Sequence, residues 1–133
     1  MGEIEFINAA EAGLPNGPYQ HAACAGGWLH LAGQIPIDAN HPGGSLPDGI
    51  EAQTQLVFRN IRAILAAAGY RMSDVVHVRN YLRNLDDDLE GFNSVYARQF
   101  ESGRFPPRTT IGVQALAKGA LVEIDLVAYR KPD

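Results

Sequence analysis

Apolar residues recur at the helical period along residues 48–68. They lie three or four positions apart, at Val57, Ile61, Ile64, Leu65 and Ala68. This spacing places them on one face of an α-helix. Asp48 and Glu51 predict a capping box at the start of the helix, and Gly69 predicts an end in the left-handed conformation.

A second helix is predicted at residues 86–100. Three consecutive aspartates beginning at Asp86 open the segment, where negative charge stabilises the positive end of the helix dipole. Its apolar face is formed by Leu89, Phe92, Tyr96 and Phe100. The segment therefore has one side that can pack against a sheet.

Strands are indicated where apolar and polar residues alternate. Residues 121–129 alternate most clearly, with apolar side chains at Val122, Ile124, Leu126 and Ala128. Gly26-Gly27 can adopt the positive φ angles of a tight turn, which predicts a hairpin over residues 22–34. Further strands are predicted at residues 5–8, 75–82 and 109–113.

The order of these elements, β-β-β-α-β-α-β-β, predicts an α+β fold in a single domain, residues 1–133. Two helices cover only one face of a six-stranded sheet. The opposite face carries Leu121, Val127 and Tyr129 beside polar groups. Because that face is too apolar to remain in water over a large area, we expect it to be buried between subunits.

Composition and charge exclude several classes of function. The net charge is −4 and no Lys/Arg cluster stands out, which argues against a nucleic-acid partner. No apolar run approaches the ~20 residues that a membrane span needs. Cys24 is the only cysteine and the N-terminus is acidic, so we expect a cytoplasmic protein without disulfides.

Two residues stand out as candidates for chemistry. Glu123 lies inside an apolar run, where an unpaired buried carboxylate is costly, and Arg108 follows two prolines at the start of a strand. Each also has an ordinary explanation, a solvent-facing strand residue for Glu123 and a surface ion pair for Arg108. The four histidines show no metal-ligand spacing, so no metal site is predicted.

An ordered set of short segments resembles the signature of the RidA/YjgF family. Each segment alone is weak, but together they span nearly the whole chain in the correct order. They are Gly17-Pro18-Tyr19, Ala32-Gly33-Gln34-Ile35-Pro36, Gln53-Thr54 with Asn60, Ala66-Ala67-Ala68-Gly69, Asp74-Val75-Val76, Phe92-Asn93-Ser94-Val95-Tyr96, Pro107-Arg108-Thr109-Thr110 and Gly119-Ala120-Leu121-Val122-Glu123-Ile124.

The resemblance implies a fold, an assembly and a reaction. The fold would be chorismate-mutase-like, a mixed six-stranded sheet with two helices on one face, assembled as a homotrimer with active sites between subunits. The reaction would be hydrolysis of reactive 2-imino and enamine acids, such as 2-iminopropanoate (2-aminoacrylate) and 2-iminobutanoate, to 2-oxo acids and ammonia. The resemblance implies neither a metal nor an organic cofactor.

The resemblance also assigns roles to individual residues. Arg108 would bind the substrate carboxylate through its planar guanidinium, and the backbone N–H of Gly33 would be a second donor. Glu123 would orient or deprotonate the attacking water. Tyr19 would hydrogen-bond near the reacting centre, and Asn93 from a neighbouring subunit would help to wall the pocket.

Three positions depart from the pattern of the family and are expected to border the pocket. His21 replaces the usual glutamine, Ala32 replaces a serine, and Thr110 lies where some members have cysteine. His21 either titrates near neutral pH or has a plain packing role. The departures leave the range of substrates open.

Three other functions are compatible with such a sequence. The first is a specialised catabolic deaminase, for 2-aminomuconate or for pyrimidine degradation. The second is a non-enzymatic trimer that binds a small carboxylate or acts as a chaperone, against which Arg108 counts. The third is an RNA-cleaving translation inhibitor, against which the net charge of −4 counts.

Overall fold

The computed structural model describes residues 3–133 of the protein. Across these described residues, six strands and two α-helices follow one another in the predicted order. The strands are β1 (Glu5–Ile7), β2 (Ala22–Ala25), β3 (Trp28–Gln34), β4 (Val75–Leu82), β5 (Arg108–Gly112) and β6 (Val122–Tyr129), and the helices are α1 (Ile50–Ala68) and α2 (Leu85–Ala97). Within this part of the chain, no helix combines the length and apolarity needed to cross a membrane.

The six strands form one mixed sheet in the order β1-β2-β3-β6-β4-β5. Strands β4 and β5 are parallel, and the other neighbouring pairs are antiparallel. Helix α2 connects the parallel pair, as a crossover between parallel strands requires. The predicted α+β fold is therefore confirmed.

The core lies between one face of the sheet and the two helices. The even positions of β6 are all buried in it, at Val122, Ile124, Leu126 and Ala128. The odd positions of β6 are only partly buried or exposed. Side chains alternate across a strand, so the odd positions form the face that the helices leave uncovered.

The predicted helix ends are correct in one place and wrong in two. Gly69 ends α1 with φ 82°, as expected. The capping box is wrong: Gly49 precedes the first helical residue with φ 85° and ψ 157°, a conformation that favours glycine, and no side chain caps the helix. Helix α2 ends at Ala97 rather than at residue 100, because the backbone N–H groups of Arg98 and Gln99 bond to carbonyls only three residues back.

Two buried side chains of α1 fix the loops that border the candidate site. Asn60 donates to the carbonyl of Ile37 at 2.8 Å. The amide of Gln53 donates to the Pro47 carbonyl at 2.9 Å, and its Oε1 accepts from the Leu121 N–H at 2.8 Å. Helix α1 thus holds the loop after β3 and the turn before β6 at one end of the sheet.

Candidate functional site

Glu123 and Gly33 lie side by side on neighbouring strands. Strands β3 and β6 pair through Gln34 and Ile124, and the register shifts between Leu31 and Gln34. A Cβ added to Gly33 would lie 2.9 Å from Cδ of Glu123, closer than such atoms approach. Glycine is therefore required at position 33 if the Glu123 side chain is to keep its place.

The Glu123 side chain borders a cavity of about 340 Å³. Tyr19, Ala32, Gly33 and Lys118 also line this cavity, so three of the predicted site residues meet Glu123 here. A second cavity, of about 290 Å³, shares Tyr19, Gly33 and Lys118. The two cavities are thus neighbouring parts of one groove, with a volume suited to a small molecule.

The surroundings of Glu123 favour its protonated form. Burial raises the pKa of its carboxyl, and the nearby carboxylate of Asp125 raises it further. Among residues 3–133, no donor forms a hydrogen bond with the Glu123 carboxyl. A carboxyl with a raised pKa and oxygens without hydrogen-bond donors is suited to accept and return a proton.

Tyr19 lines the groove but does not point its hydroxyl at Glu123. The hydroxyl donates to Oδ1 of Asn16 at 3.2 Å, and the side chain is largely exposed. The phenol is held at the rim of the groove by a neighbouring residue of the same loop. It can reach a bound molecule by exchanging this one hydrogen bond.

Arg108 begins β5, and its guanidinium is held from two directions. Its Nη2 donates to Oδ1 of Asn93 at 2.7 Å. The guanidinium carbon lies 4.6 Å from the ring centroid of Tyr96 and 5.7 Å from that of Phe92. Stacking on an aromatic ring leaves the edge of the guanidinium free for a planar acceptor such as a carboxylate.

Arg108 and Glu123 do not meet within one chain. Val78 pairs with both Arg108 and Leu126, whose side chains lie on the face that the helices cover. Glu123 lies at an odd position of β6, on the uncovered face. The expectation that Asn93 comes from a neighbouring subunit is wrong, because Asn93 bonds to Arg108 in the same chain.

The chain therefore carries two half-sites. We call the first the arginine half-site (Asn93, Tyr96 and Arg108) and the second the glutamate half-site (Tyr19, Gly33 and Glu123). A family model described as Endoribonuclease L-PSP matches residues 10–130, nearly the whole chain. The chain belongs to the RidA/YjgF family.

Relatives of known name support this assignment. The chain is 42% identical over 127 residues to a RutC family protein of Pyrococcus horikoshii, covering 96% of this chain and 98% of that one. It is 35% identical to a 2-iminobutanoate/2-iminopropanoate deaminase of Dermatophagoides farinae, covering 96% and 97%. A Rid-family structure from Yersinia pestis, YyfA, superposes with a TM-score of 0.90 at 36% identity, covering 96% and 100%.

The three departures from the family pattern differ in their surroundings. Ala32 lines the cavity that Glu123 borders. Thr110 lies on β5, where its hydroxyl accepts from Nδ2 of the buried Asn80 at 3.1 Å. Its side chain therefore joins two strands, two residues after Arg108.

Two roles were open for His21, titration near neutral pH and plain packing, and the structure favours packing. The imidazole Nδ1 accepts from the backbone N–H of Ala9 at 3.0 Å. The backbone N–H of His21 donates to Oδ1 of Asn8 at 2.9 Å. Burial lowers the pKa of the imidazole, opposed by a hydrogen bond to the Gly13 backbone. The neutral ring thus fastens the loop between β1 and β2, which also lines the groove.

Three residues in or beside the two half-sites were given no role by the sequence analysis: Tyr96, Lys118 and Asp125. Tyr96 lies three residues after Asn93, and this helical spacing could have placed it beside Arg108. Asp125 lies two residues after Glu123, a spacing that puts both carboxylates on one face. No sequence spacing points to Lys118. It reaches the cavity because the chain turns there, with φ 59° at Lys118.

Proposed function

We propose that the protein is a hydrolytic deaminase of 2-imino acids and their enamine tautomers, of the 2-iminopropanoate and 2-iminobutanoate type. One observation carries the proposal: Glu123 has a raised pKa and borders a groove of small-molecule size. The stacked guanidinium of Arg108 adds a receptor for the carboxylate that these substrates share. The deaminase relative of Dermatophagoides farinae is consistent with this reaction.

The proposed active site lies between chains of a homotrimer. Each chain carries the two half-sites on opposite faces of its sheet, so a complete site needs the arginine half-site of one chain and the glutamate half-site of the next. The uncovered face supports assembly, because it exposes large apolar side chains such as Trp28, Ile111 and Tyr129. A closed ring of three chains buries this face without open-ended growth.

The proposed reaction needs one water and one proton carrier. Arg108 binds the substrate carboxylate and fixes the C=N carbon beside Glu123. In the iminium form of the substrate, the Glu123 carboxylate takes a proton from water as the oxygen adds to that carbon, and the C=N π electrons become the lone pair of the amine. Glu123 returns its proton to this nitrogen, and the carbinolamine then loses ammonia as the C=O bond forms and the hydroxyl proton passes to water. Placement of reactants is a large part of such catalysis.

The test is production of ammonia and 2-oxo acid from an imine made in the cuvette. An amino-acid oxidase supplies 2-iminopropanoate or 2-iminobutanoate, and semicarbazide traps the imine that has not been hydrolysed. The protein should reduce trapping in proportion to its concentration, whereas Glu123→Gln should not. Trapping at the buffer level for imines of several sizes would contradict the proposal.

A second candidate function is binding of a small carboxylate without turnover. It is favoured by one observation: Arg108 is already held by Asn93 and stacked on Tyr96 in a single chain, without any help from Glu123. Calorimetry with 2-oxobutanoate separates the two functions. Binding that is unaffected by Glu123→Gln, in a protein that leaves imines intact, would favour the binding function.

A further inference from the structure

Two carboxyls lie next to each other on the uncovered face of β6. Glu123 and Asp125 are two residues apart, so their side chains point to the same side of the strand. Their surroundings differ. Glu123 borders the groove and has no hydrogen-bond donor among residues 3–133, whereas Asp125 is held by two donors. The two acids are thus chemically unequal.

Both donors to Asp125 come from the neighbouring strand β4. Nε of Arg79 donates to Oδ1 at 2.6 Å, and the Tyr81 hydroxyl donates to Oδ2 at 2.9 Å. Arg79 is the register partner of Asp125, and Tyr81 is the register partner of Glu123. The pairing of β4 with β6 therefore fixes the Asp125 carboxylate at a set position beside Glu123.

We propose that Asp125, fixed by Arg79 and Tyr81, is a positioning residue whose charge makes Glu123 the carboxyl that gains and loses the reaction's proton. The inference rests on the proposed function for its role in turnover. A negative charge beside a carboxyl disfavours ionisation of that carboxyl, so Asp125 on the same face favours the protonated form of Glu123. Asp125 itself touches no substrate and acts only through Glu123.

Other charged and titratable groups facing Glu123 do not replace this effect. On the cavity side these are Tyr19 and Lys118, and Lys118 points its ammonium at the Pro42 carbonyl, 3.4 Å away. On β4 the group is Tyr81, whose hydroxyl is already donated to Asp125. Asp125 is therefore the negative charge that acts on Glu123 from the same face.

The experiment follows the protonation of Glu123 directly. Carboxyl ¹³C signals of labelled protein are recorded across pH, and the Glu123 signal is the one lost in Glu123→Gln. Asp125→Asn removes the neighbouring negative charge, so the Glu123 midpoint should move to lower pH. Arg79→Gln leaves Asp125 uncompensated, so the midpoint should move to higher pH. Asp86→Asn, an exposed change of the same charge on α2, should leave it in place.

The pH–rate profile gives the matching kinetic result. The acidic limb of turnover should move with the Glu123 midpoint, down in Asp125→Asn and up in Arg79→Gln. A merely structural role for Asp125 predicts loss of rate at all pH values without opposite shifts. Circular dichroism checks that each variant folds. If Asp125→Asn does not fold, Arg79→Gln still tests the proposal, because the Arg79 side chain is 58% exposed in the single chain.

The outcomes distinguish a failure of the proposed role of Asp125 from a failure of the proposed function. A Glu123 midpoint that is unchanged in both variants would overturn the role of Asp125, even in an active deaminase. Opposite midpoint shifts in a protein that hydrolyses no imine would support the coupling of the two carboxyls and contradict only the proposed function.

Discussion

At the residue scale, the two half-sites divide the work between binding and chemistry. Arg108→Ala should abolish binding of 2-oxobutanoate and reduce turnover to background, because the guanidinium is the receptor for the carboxylate. Glu123→Gln should still bind 2-oxobutanoate but lose about 10²–10⁴-fold in rate, the usual effect of a positioned acid or base. Calorimetry and the imine-trapping assay measure the two effects. Full turnover by Glu123→Gln would remove its assigned role.

His21 gives a prediction for stability against pH. Burial lowers the pKa of His21 in the folded protein, whereas in the unfolded chain it stays near 6.5. The neutral ring's contribution is therefore fully present above about pH 6.5 and is lost as pH falls through the lower folded pKa. Urea unfolding from pH 7.5 to 5 should show this loss.

The matched control for this prediction is His21→Gln. The glutamine amide can accept from the Ala9 N–H as Nδ1 does now, but it does not titrate. The difference in unfolding free energy between the two proteins should therefore shift in favour of the variant as pH falls. A difference that stays constant with pH would show that His21 is not neutral in the fold.

At the scale of elements, Gly33 connects the bulge in β3 with the position of Glu123. Gly33→Ala should lower turnover with little change in stability, because the new Cβ would displace only the flexible end of the Glu123 side chain. Thermal unfolding checks that the fold is intact, and the imine-trapping assay measures turnover. Full turnover by Gly33→Ala would show that catalysis does not depend on the present position of the Glu123 carboxyl.

The sequence predicted the helices and strands better than the residues at which they begin and end. It also predicted which face of a strand is buried better than which side chains are in contact. Alternation in β6 correctly separated the buried even positions from the uncovered odd ones. The predicted start of α1 was wrong. A capping box relies on side-chain hydrogen bonds, whereas α1 starts after Gly49, whose backbone conformation turns the chain into the helix. The contact of Asn93 with Arg108 depends on how α2 lies over β5, which no local pattern contains.

The sequence names candidate site residues but does not show how they are arranged. The resemblance to the RidA/YjgF family singled out Arg108 and Glu123, and both lie at cavities. Their separation on two faces follows from pairing across three strands, β5, β4 and β6. Such register depends on tertiary contacts far apart in the sequence, so the motifs alone did not show that Asn93 would lie beside Arg108 in the same chain.

At the scale of the whole molecule, the separation of the half-sites predicts complementation between inactive variants. Arg108→Ala keeps a working glutamate half-site, and Glu123→Gln keeps a working arginine half-site. If a complete site takes one half from each of two neighbouring chains in a closed ring, mixed assemblies contain some fully wild-type sites. Random mixing of equal amounts should then restore roughly a quarter of the wild-type activity.

The experiment mixes the two variants under mild denaturant, removes it, and measures turnover and mass in parallel. Each variant refolded alone should remain inactive, and the double variant mixed with either single variant should stay inactive as well. Recovered activity should elute with the oligomer and not with a monomer. Mixed oligomers that form but show no activity would place both half-sites of a working site in one chain. Activity in a separated monomer would contradict the shared site altogether.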